Sequence, residues 1–154
     1  MKFKEAITYD DMLLVPQYSD ITSRSEVEIG NRMGHRHLKM PIIASPMDTV
    51  SEHEMAIAMY RAGGMAVLHR YNTIQEQVSM AEKVSNWSGQ VAAAVGVTGD
   101  FIERSEALIA AGVDVLCIDV AHGHHILVKK ALEQLRNEYD NHIYIIAGNV
   151  CTLE

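Results

Sequence analysis

Cysteine is scarce in this 154-residue chain, which holds only Cys117 and Cys151. Two thiols cannot build a disulfide framework, and free thiols suit a reducing compartment. Cys117 falls inside the apolar run Val115-Leu-Cys-Ile118, where a buried thiol is the ordinary reading. Positive charge is scarce too: 13 Lys and Arg stand against 20 Asp and Glu, for a formal charge of −7. With no basic patch and no aromatic-basic interleaving, that balance argues against non-specific nucleic-acid binding. No apolar run approaches the length of a membrane span. Met1-Lys-Phe-Lys-Glu5 becomes charged too soon for a signal peptide. A cytoplasmic protein with neither nucleic acid nor membrane as partner is therefore expected. The chain also lacks low-complexity segments, long linkers and a G-x-G-x-x-G turn. Gly96-Val-Thr-Gly99 misses the third glycine and has the wrong spacing, which counts against a doubly wound dinucleotide fold.

What is present is a repeat. Five apolar, strand-like segments begin near Ile42, Met65, Val91, Val115 and Ile143, spaced 23 to 28 residues apart. Each ends in a polar loop, and the regular spacing points to one repeated supersecondary unit. Runs such as Val91-Ala-Ala-Ala-Val95 and Ile143-Tyr-Ile-Ile146 are apolar at nearly every position. That pattern suits parallel strands buried on both faces. Ser51-x-x-Glu54, Thr73-x-x-Glu76 and Asp100-x-x-Glu103 have the form of capping boxes opening helices. Helical stripes follow: Met55, Ala58, Met59 and Ala62; then Phe101, Ser105, Leu108 and Gly112; then Val128, Leu132, Leu135 and Tyr139. Gly63-Gly64 and Gly112 have the character of helix terminators. The expected architecture is α/β: a partial (β/α)8 TIM barrel made of the first five βα units, residues 41–154. A polar arm, residues 1–40, precedes it as loops and short strands laid across a barrel end or a neighbouring subunit. Complete barrels run to about 250 residues, so the chain is expected to be the N-terminal part of a longer one.

Parallel α/β folds place their chemistry at the C-terminal ends of strands. The loops there hold the candidate residues. Ser45, Met47, Asp48 and Thr49 follow the first strand, where Pro46 fixes the backbone. They can orient a small polar ligand, or Asp48, Thr49 or Ser51 can simply cap the next helix. His69 and Arg70 follow the second strand, and an arginine there can meet phosphate or carboxylate in a bidentate contact. It can equally be a surface side chain beside Tyr71. Asp119 closes the fourth strand, where a carboxylate can accept hydrogen bonds from ribose hydroxyls, cap a helix or pair with a neighbouring lysine. Gly148-Asn149 closes the fifth, pairing close backbone approach with a donor and an acceptor. His122, His124 and His125 lack the H-E-x-x-H or cysteine company of a metal site and read as loop histidines. No nucleophile is evident, since Cys151 has no identifiable base beside it.

Taken together, these loops resemble the IMP dehydrogenase and GMP reductase family. The likeness rests on Tyr9-Asp-Asp-Met-Leu-Leu14 with Ser23-Arg-Ser-Glu26, on Pro41-Ile-Ile-Ala-Ser-Pro-Met-Asp-Thr-Val50 and on Gly63-Gly-Met-Ala-Val-Leu-His69. It continues through Ala94-Val-Gly96, Asp119-Val-Ala-His-Gly-His124 and Ala147-Gly-Asn-Val150, in order over nearly the whole chain. The resemblance implies a (β/α)8 barrel and a redox step at C2 of a purine nucleoside monophosphate. In that family a cysteine thiolate attacks C2 and hydride moves between that carbon and NADPH or NAD. It also implies nucleotide contact at Ser45 and Met47, and cofactor contact at Arg70, Asp119, Val120, Ala121 and Asn149. The family's catalytic cysteine, phosphate loops and monovalent-cation site are expected beyond Glu154. No catalytic residue is therefore assigned within this chain, and the chain alone is expected to be inactive. Many IMP dehydrogenases insert a CBS pair where Lys83–Val91 crosses directly. That feature, with Ser23-Arg-Ser-Glu26 and His69-Arg70, leans toward an NADPH-dependent GMP reductase. Pro46-Met-Asp-Thr-Val50 leans toward a CBS-less IMP dehydrogenase using NAD. The full-length protein is expected to be a homo-oligomer, a tetramer by resemblance. A non-catalytic half-barrel that binds nucleotide or assembles with a partner is the alternative from another class.

Overall fold

The computed structural model describes residues 7–88 and 90–151. The charged Met1–Glu5 stretch and Thr152–Glu154 lie outside the described residues. Five strands form one parallel sheet in sequential order: β3 (Ile43–Ala44), β4 (Met65–Leu68), β5 (Ala92–Val95), β6 (Val115–Asp119) and β7 (Tyr144–Gly148). Four helices connect them: α1 (His53–Arg61), α2 (Ile74–Ser88), α3 (Phe101–Ala110) and α4 (Ile126–Tyr139). Each strand pairs with the next in sequence; Ala92, for example, sits opposite Val115, and Val115 opposite Tyr144. That order is the barrel order, with no reversal of direction along the sheet.

Alternation along the strands divides the core in two. Ala66, Leu68, Ala93, Val95, Leu116 and Ile118 point outward and pack with Ala56, Met80, Leu108, Val128 and Leu135 of the helices. Met65, Val67, Ala92, Ala94, Val115 and Cys117 point the other way, into a cluster that contains no helical residue. All four helices therefore cover one face of the sheet, as in a barrel wall, and the second face is the barrel interior. The α3 and α4 stripes match the spacing seen in the sequence, with Ser105, Leu108, Val128 and Leu135 buried. The α1 stripe does not. Ala56 is its buried residue, whereas Ala58 and Ala62 are exposed.

Of the three expected capping boxes, one forms. The Thr73 amide donates to Glu76 Oε2 at 2.9 Å and the Glu76 amide to Thr73 Oγ1 at 3.2 Å. At α1 the capping position is Glu52, with no side-chain bond, because the Ser51 hydroxyl is turned away to donate to the Ser45 carbonyl. At α3 the Asp100 carboxylate accepts from Arg104 instead of capping. In both cases another partner, the Ser45 carbonyl for Ser51 and the i+4 guanidinium for Asp100, outcompetes the cap. Gly112 ends α3 at φ +94°, and a Cβ there would sit 2.5 Å from Ser85 Oγ, so conformation and space both demand glycine.

The arm holds an antiparallel hairpin, β1 (Asn31–Met33) with β2 (Arg36–Leu38). It lies across the foot of the sheet, where strands begin. Arg36 is buried and its guanidinium pairs with Asp114, the residue before β6. Leu38 and Met33 pack into the interior cluster, and His35 stacks on Tyr144 with ring centres 4.2 Å apart. Gly34, at φ +60°, lets the turn sit against that ring, which a Cβ would meet at 2.8 Å. Residues 7–29 are exposed throughout and carry 3-10 turns at Tyr9–Asp11 and Arg24–Glu26.

Candidate functional site

The rim opposite the hairpin gathers the loops that follow the strands. Ser45 comes directly after β3, Arg70 two residues after β4, Asp119 at the last position of β6 and Asn149 directly after β7. All four therefore stand at the C-terminal end of the sheet. Hydrogen bonds tie the loops to one another in a continuous series. The amide of His69 donates to the Ser51 carbonyl at 3.2 Å, joining the β4 loop to the β3 loop. Arg70 reaches across the end of β5 and donates from an η nitrogen to the Asp119 carbonyl at 3.2 Å. On the way its guanidinium passes Gly96, where a Cβ would lie 3.5 Å from it. The Asn149 amide donates to the Val120 carbonyl at 2.7 Å, and the Val120 amide to Gly148 at 3.0 Å. The Gly123 amide donates to the Asn149 carbonyl at 2.6 Å.

Arg70, Asp119, Val120 and Asn149 are thus brought together by direct contacts. Ala121 is exposed at the same edge. Ser45 and Met47 share the rim at the β3 end, with both side chains facing solvent. Arg70 is half-buried, its Nε has no hydrogen-bond partner, and its guanidinium sits 5.4 Å from the centre of the Tyr71 ring. A cation so placed can take an anionic group without leaving another acceptor unpaired. A Cβ on Gly148 would meet nothing within 4 Å, so the surface beside Asp119 and Asn149 is open. A half-buried carboxylate, a guanidinium and that opening together form a polar, accessible edge at the C-terminal rim.

His69 proves to be a structural part of the rim. Its side chain is 3% exposed. Nδ1 accepts from the Tyr71 amide at 3.2 Å, which leaves Nε2 as the protonated nitrogen of the neutral ring. Nε2 faces Glu52 at 3.5 Å and Asp48 at 3.8 Å. Asp48, Glu52, His69, Tyr71 and Lys83 line a cavity of about 440 Å³ beside the first two loops. A second cavity, about 340 Å³, lies at the foot, among Arg36, Leu38, Arg61, Gly63 and Ala92. There Arg61 closes α1 and answers the helix dipole.

His122 lies 6.4 and 6.5 Å, ring centre to ring centre, from His124 and His125. His125 caps α4, its Nδ1 accepting from the Leu127 amide at 3.1 Å. Among the described residues no group of three or more His, Cys, Asp or Glu converges to hold a metal ion. Cys117 faces the barrel interior, and burial, then the Asp119 charge, pushes its thiol up to about 11. It is a poor nucleophile at neutral pH. Cys151 is exposed. Among the described helices none is long and apolar enough to cross a membrane.

Sequence reasoning missed Gln77 and Arg104, both buried beneath the rim. The signal was available: Arg104 occupies the position between Phe101 and Ser105 in the apolar stripe, where a charge has no place unless it is paired.

A family model described as IMP dehydrogenase / GMP reductase domain matches residues 6–154. The chain is 32% identical over 194 residues to an inosine-5'-monophosphate dehydrogenase of Cryptosporidium parvum, covering 97% of this chain and 47% of that one. It is 31% identical over 149 residues to a GMP reductase of Mesoplasma florum, covering 96% and 46%. A dehydrogenase of Nitrosopumilus maritimus matches at 26% over 280 residues, covering 100% and 58%. The chain thus spans about half the length of the curated relatives it matches. With nearly every residue inside that match and five strands in barrel order, the chain belongs to the IMP dehydrogenase / GMP reductase domain family.

Proposed function

We propose that the protein carrying this chain is a purine-nucleotide oxidoreductase, and specifically an NADPH-dependent GMP reductase. Such an enzyme converts GMP, NADPH and protons into IMP, NADP⁺ and ammonium. The observation that leans toward the reductase is the direct passage from α2 at Ser88 to β5 at Ala92, together with a match to the Mesoplasma reductase over 149 residues, close to this chain's own length. The matches to the Nitrosopumilus dehydrogenase and to a GMP reductase of Leishmania major spread over 280 and 285, so relatives of either name carry residues within the span that this chain lacks, and the assay below decides between them. The second reading, an IMP dehydrogenase without the insert that forms XMP with NAD, is favoured by the 32% identity to the Cryptosporidium enzyme.

In either reading the residues of this chain bind and orient. Ser45 and Met47 present the β3 loop to the purine nucleotide. The Asp119 carboxylate accepts hydrogen bonds from a cofactor ribose, and Arg70 offers its guanidinium to the cofactor phosphates. Val120, Ala121 and Asn149 line the edge where the nicotinamide would lie. The bound cofactor supplies the hydride exchange. The thiol chemistry of the family is not assigned to Cys117, whose proton is held too tightly, nor to Cys151. A tetramer acting on a purine nucleoside monophosphate is the assembly and partner proposed.

The test is a paired assay of the full-length protein, following the near-ultraviolet absorbance of the reduced nicotinamide ring. NADPH consumption with GMP and ammonium release supports the reductase. NADH formation with IMP, and none with GMP, overturns it in favour of the dehydrogenase. Turnover with neither sinks both and leaves a binding or assembly module.

A further inference from the structure

We propose that Arg104 is a positioning residue for the cofactor side of the rim, holding the Arg70 loop and the Gly96 loop at a fixed separation. This rests on the cofactor reading of Arg70 given above. Arg104 stands on α3, within the stripe that Phe101, Ser105 and Leu108 turn toward the sheet, and is 7% exposed. An apolar side chain would pack there without cost, whereas a buried guanidinium is tolerated only when its donors are matched. They are matched by groups from the loops on either side. One η nitrogen donates to Gln77 Oε1 at 2.8 Å. The other donates to the Asn72 carbonyl at 3.0 Å and to Asp100 Oδ2 at 2.8 Å.

Gln77, fully buried, passes the connection on. Its amide nitrogen donates to the carbonyls of Ala94 at 2.9 Å and Leu68 at 3.5 Å, at the ends of β5 and β4. The fork therefore links the β4 loop, the β5 loop and two strand ends. Asn72 lies two residues past Arg70, and Asp100 four past Gly96. Arg70 reaches Asp119 only by crossing Gly96, so its aim depends on the spacing that Arg104 sets. Stability alone does not account for the arrangement. The Asp100 pair is an i,i+4 contact whose carboxylate is 48% exposed, and such pairs contribute little.

The experiment compares Arg104→Lys and Arg104→Met with wild type in the full-length protein. It reads KM for cofactor and for nucleotide, kcat, Tm and amide hydrogen exchange. Lysine keeps the charge but cannot reach the separate acceptors as a planar fork does. Cofactor KM should rise at least threefold and as much as about 100-fold, the scale of a 1 Å misplacement, while nucleotide KM stays within about twofold. Exchange at residues 70–72 and 97–99 should quicken in the lysine variant with Tm near that of wild type. A folded lysine variant with unchanged cofactor KM overturns the proposal. So does a parallel rise in both KM values that tracks the loss of Tm. If wild type turns over neither nucleotide, the cofactor reading has failed separately. Hydrogen exchange still decides the coupling in that case: unchanged protection of both loops refutes it, and faster exchange upholds it.

Discussion

Asp119 sits where two explanations of a carboxylate meet, at the end of a strand and before a helix. The structure shows His125, not Asp119, capping α4, which removes the helix-cap explanation. Asp119→Ala in the full-length protein is therefore expected to raise cofactor KM about tenfold or more, the loss of one charge-assisted hydrogen bond or two, with little change in Tm. Paired kinetics and thermal melts check this; a large fall in Tm with unchanged KM would return Asp119 to a structural role. Cys117 carries a second prediction. Its thiol is raised from 9.0 to about 11 by burial. A raised value means that the neutral thiol's contribution to stability is complete below pH 9 and is lost as pH climbs toward 11. Urea midpoints of wild type should fall over that window, and those of Cys117→Ala should fall less. The shared rim of Asp119, Arg70 and Asn149 was legible from the sequence because strand direction alone assigns a residue to a rim. The burial of Arg104 was signalled by its place in an apolar stripe, but its partners Gln77 and Asn72, like the partners of Ser51 and Gln77, were not, because only the folded chain brings them together.

Among the elements, α2 has the best-made start. The Thr73 amide and then its hydroxyl hold Glu76 below the usual carboxylate range. The depressed value means that this aid to α2 is present above the ordinary Glu range and is lost on acidification through it. Thr73→Ala should cost about 1 kcal/mol, the ordinary value of a helix cap, whereas Glu54→Gln should cost only about 0.3 kcal/mol, the low end for an exposed first-turn charge, because the box expected at Ser51 does not form. Chemical denaturation of the pair separates them. Gly112→Ala should cost at least about 1 kcal/mol from its left-handed backbone, and more from the contact with Ser85. Strand existence and order were legible because fully apolar runs at even spacing admit few alternatives. Caps were less so, since a hydroxyl or carboxylate chooses between its own helix and whatever the fold brings near. The α1 face was misjudged for a related reason: Ala, Met and Ile alternate there on more than one face, and the apolar pattern does not single out Ala56.

At the scale of the molecule, no strand among the described residues pairs with the outer edges of β3 and β7. Tyr9, Leu13, Leu14 and Tyr18 are each at least 94% exposed. Unpaired strand edges and apolar side chains in water favour association. The 154-residue chain expressed alone should elute earlier in size-exclusion chromatography as its concentration rises. A monomer at every concentration would contradict this. The barrel class was legible from the repeat, but the hairpin's seat was not, since nothing local in residues 31–38 names Asp114 or Tyr144. That seat also orders events during synthesis. The hairpin leaves the ribosome early, yet Arg36 finds its carboxylate 78 residues later. At about 5–20 residues per second, that is a wait of roughly 4–16 s. Tyr144, which the turn must lie against, arrives later still. A newborn chain thus carries a buried-to-be arginine, its charge unmatched, through the synthesis of those 78 residues, and whatever shelters nascent chains would have to cover the foot-piece until Asp114 arrives.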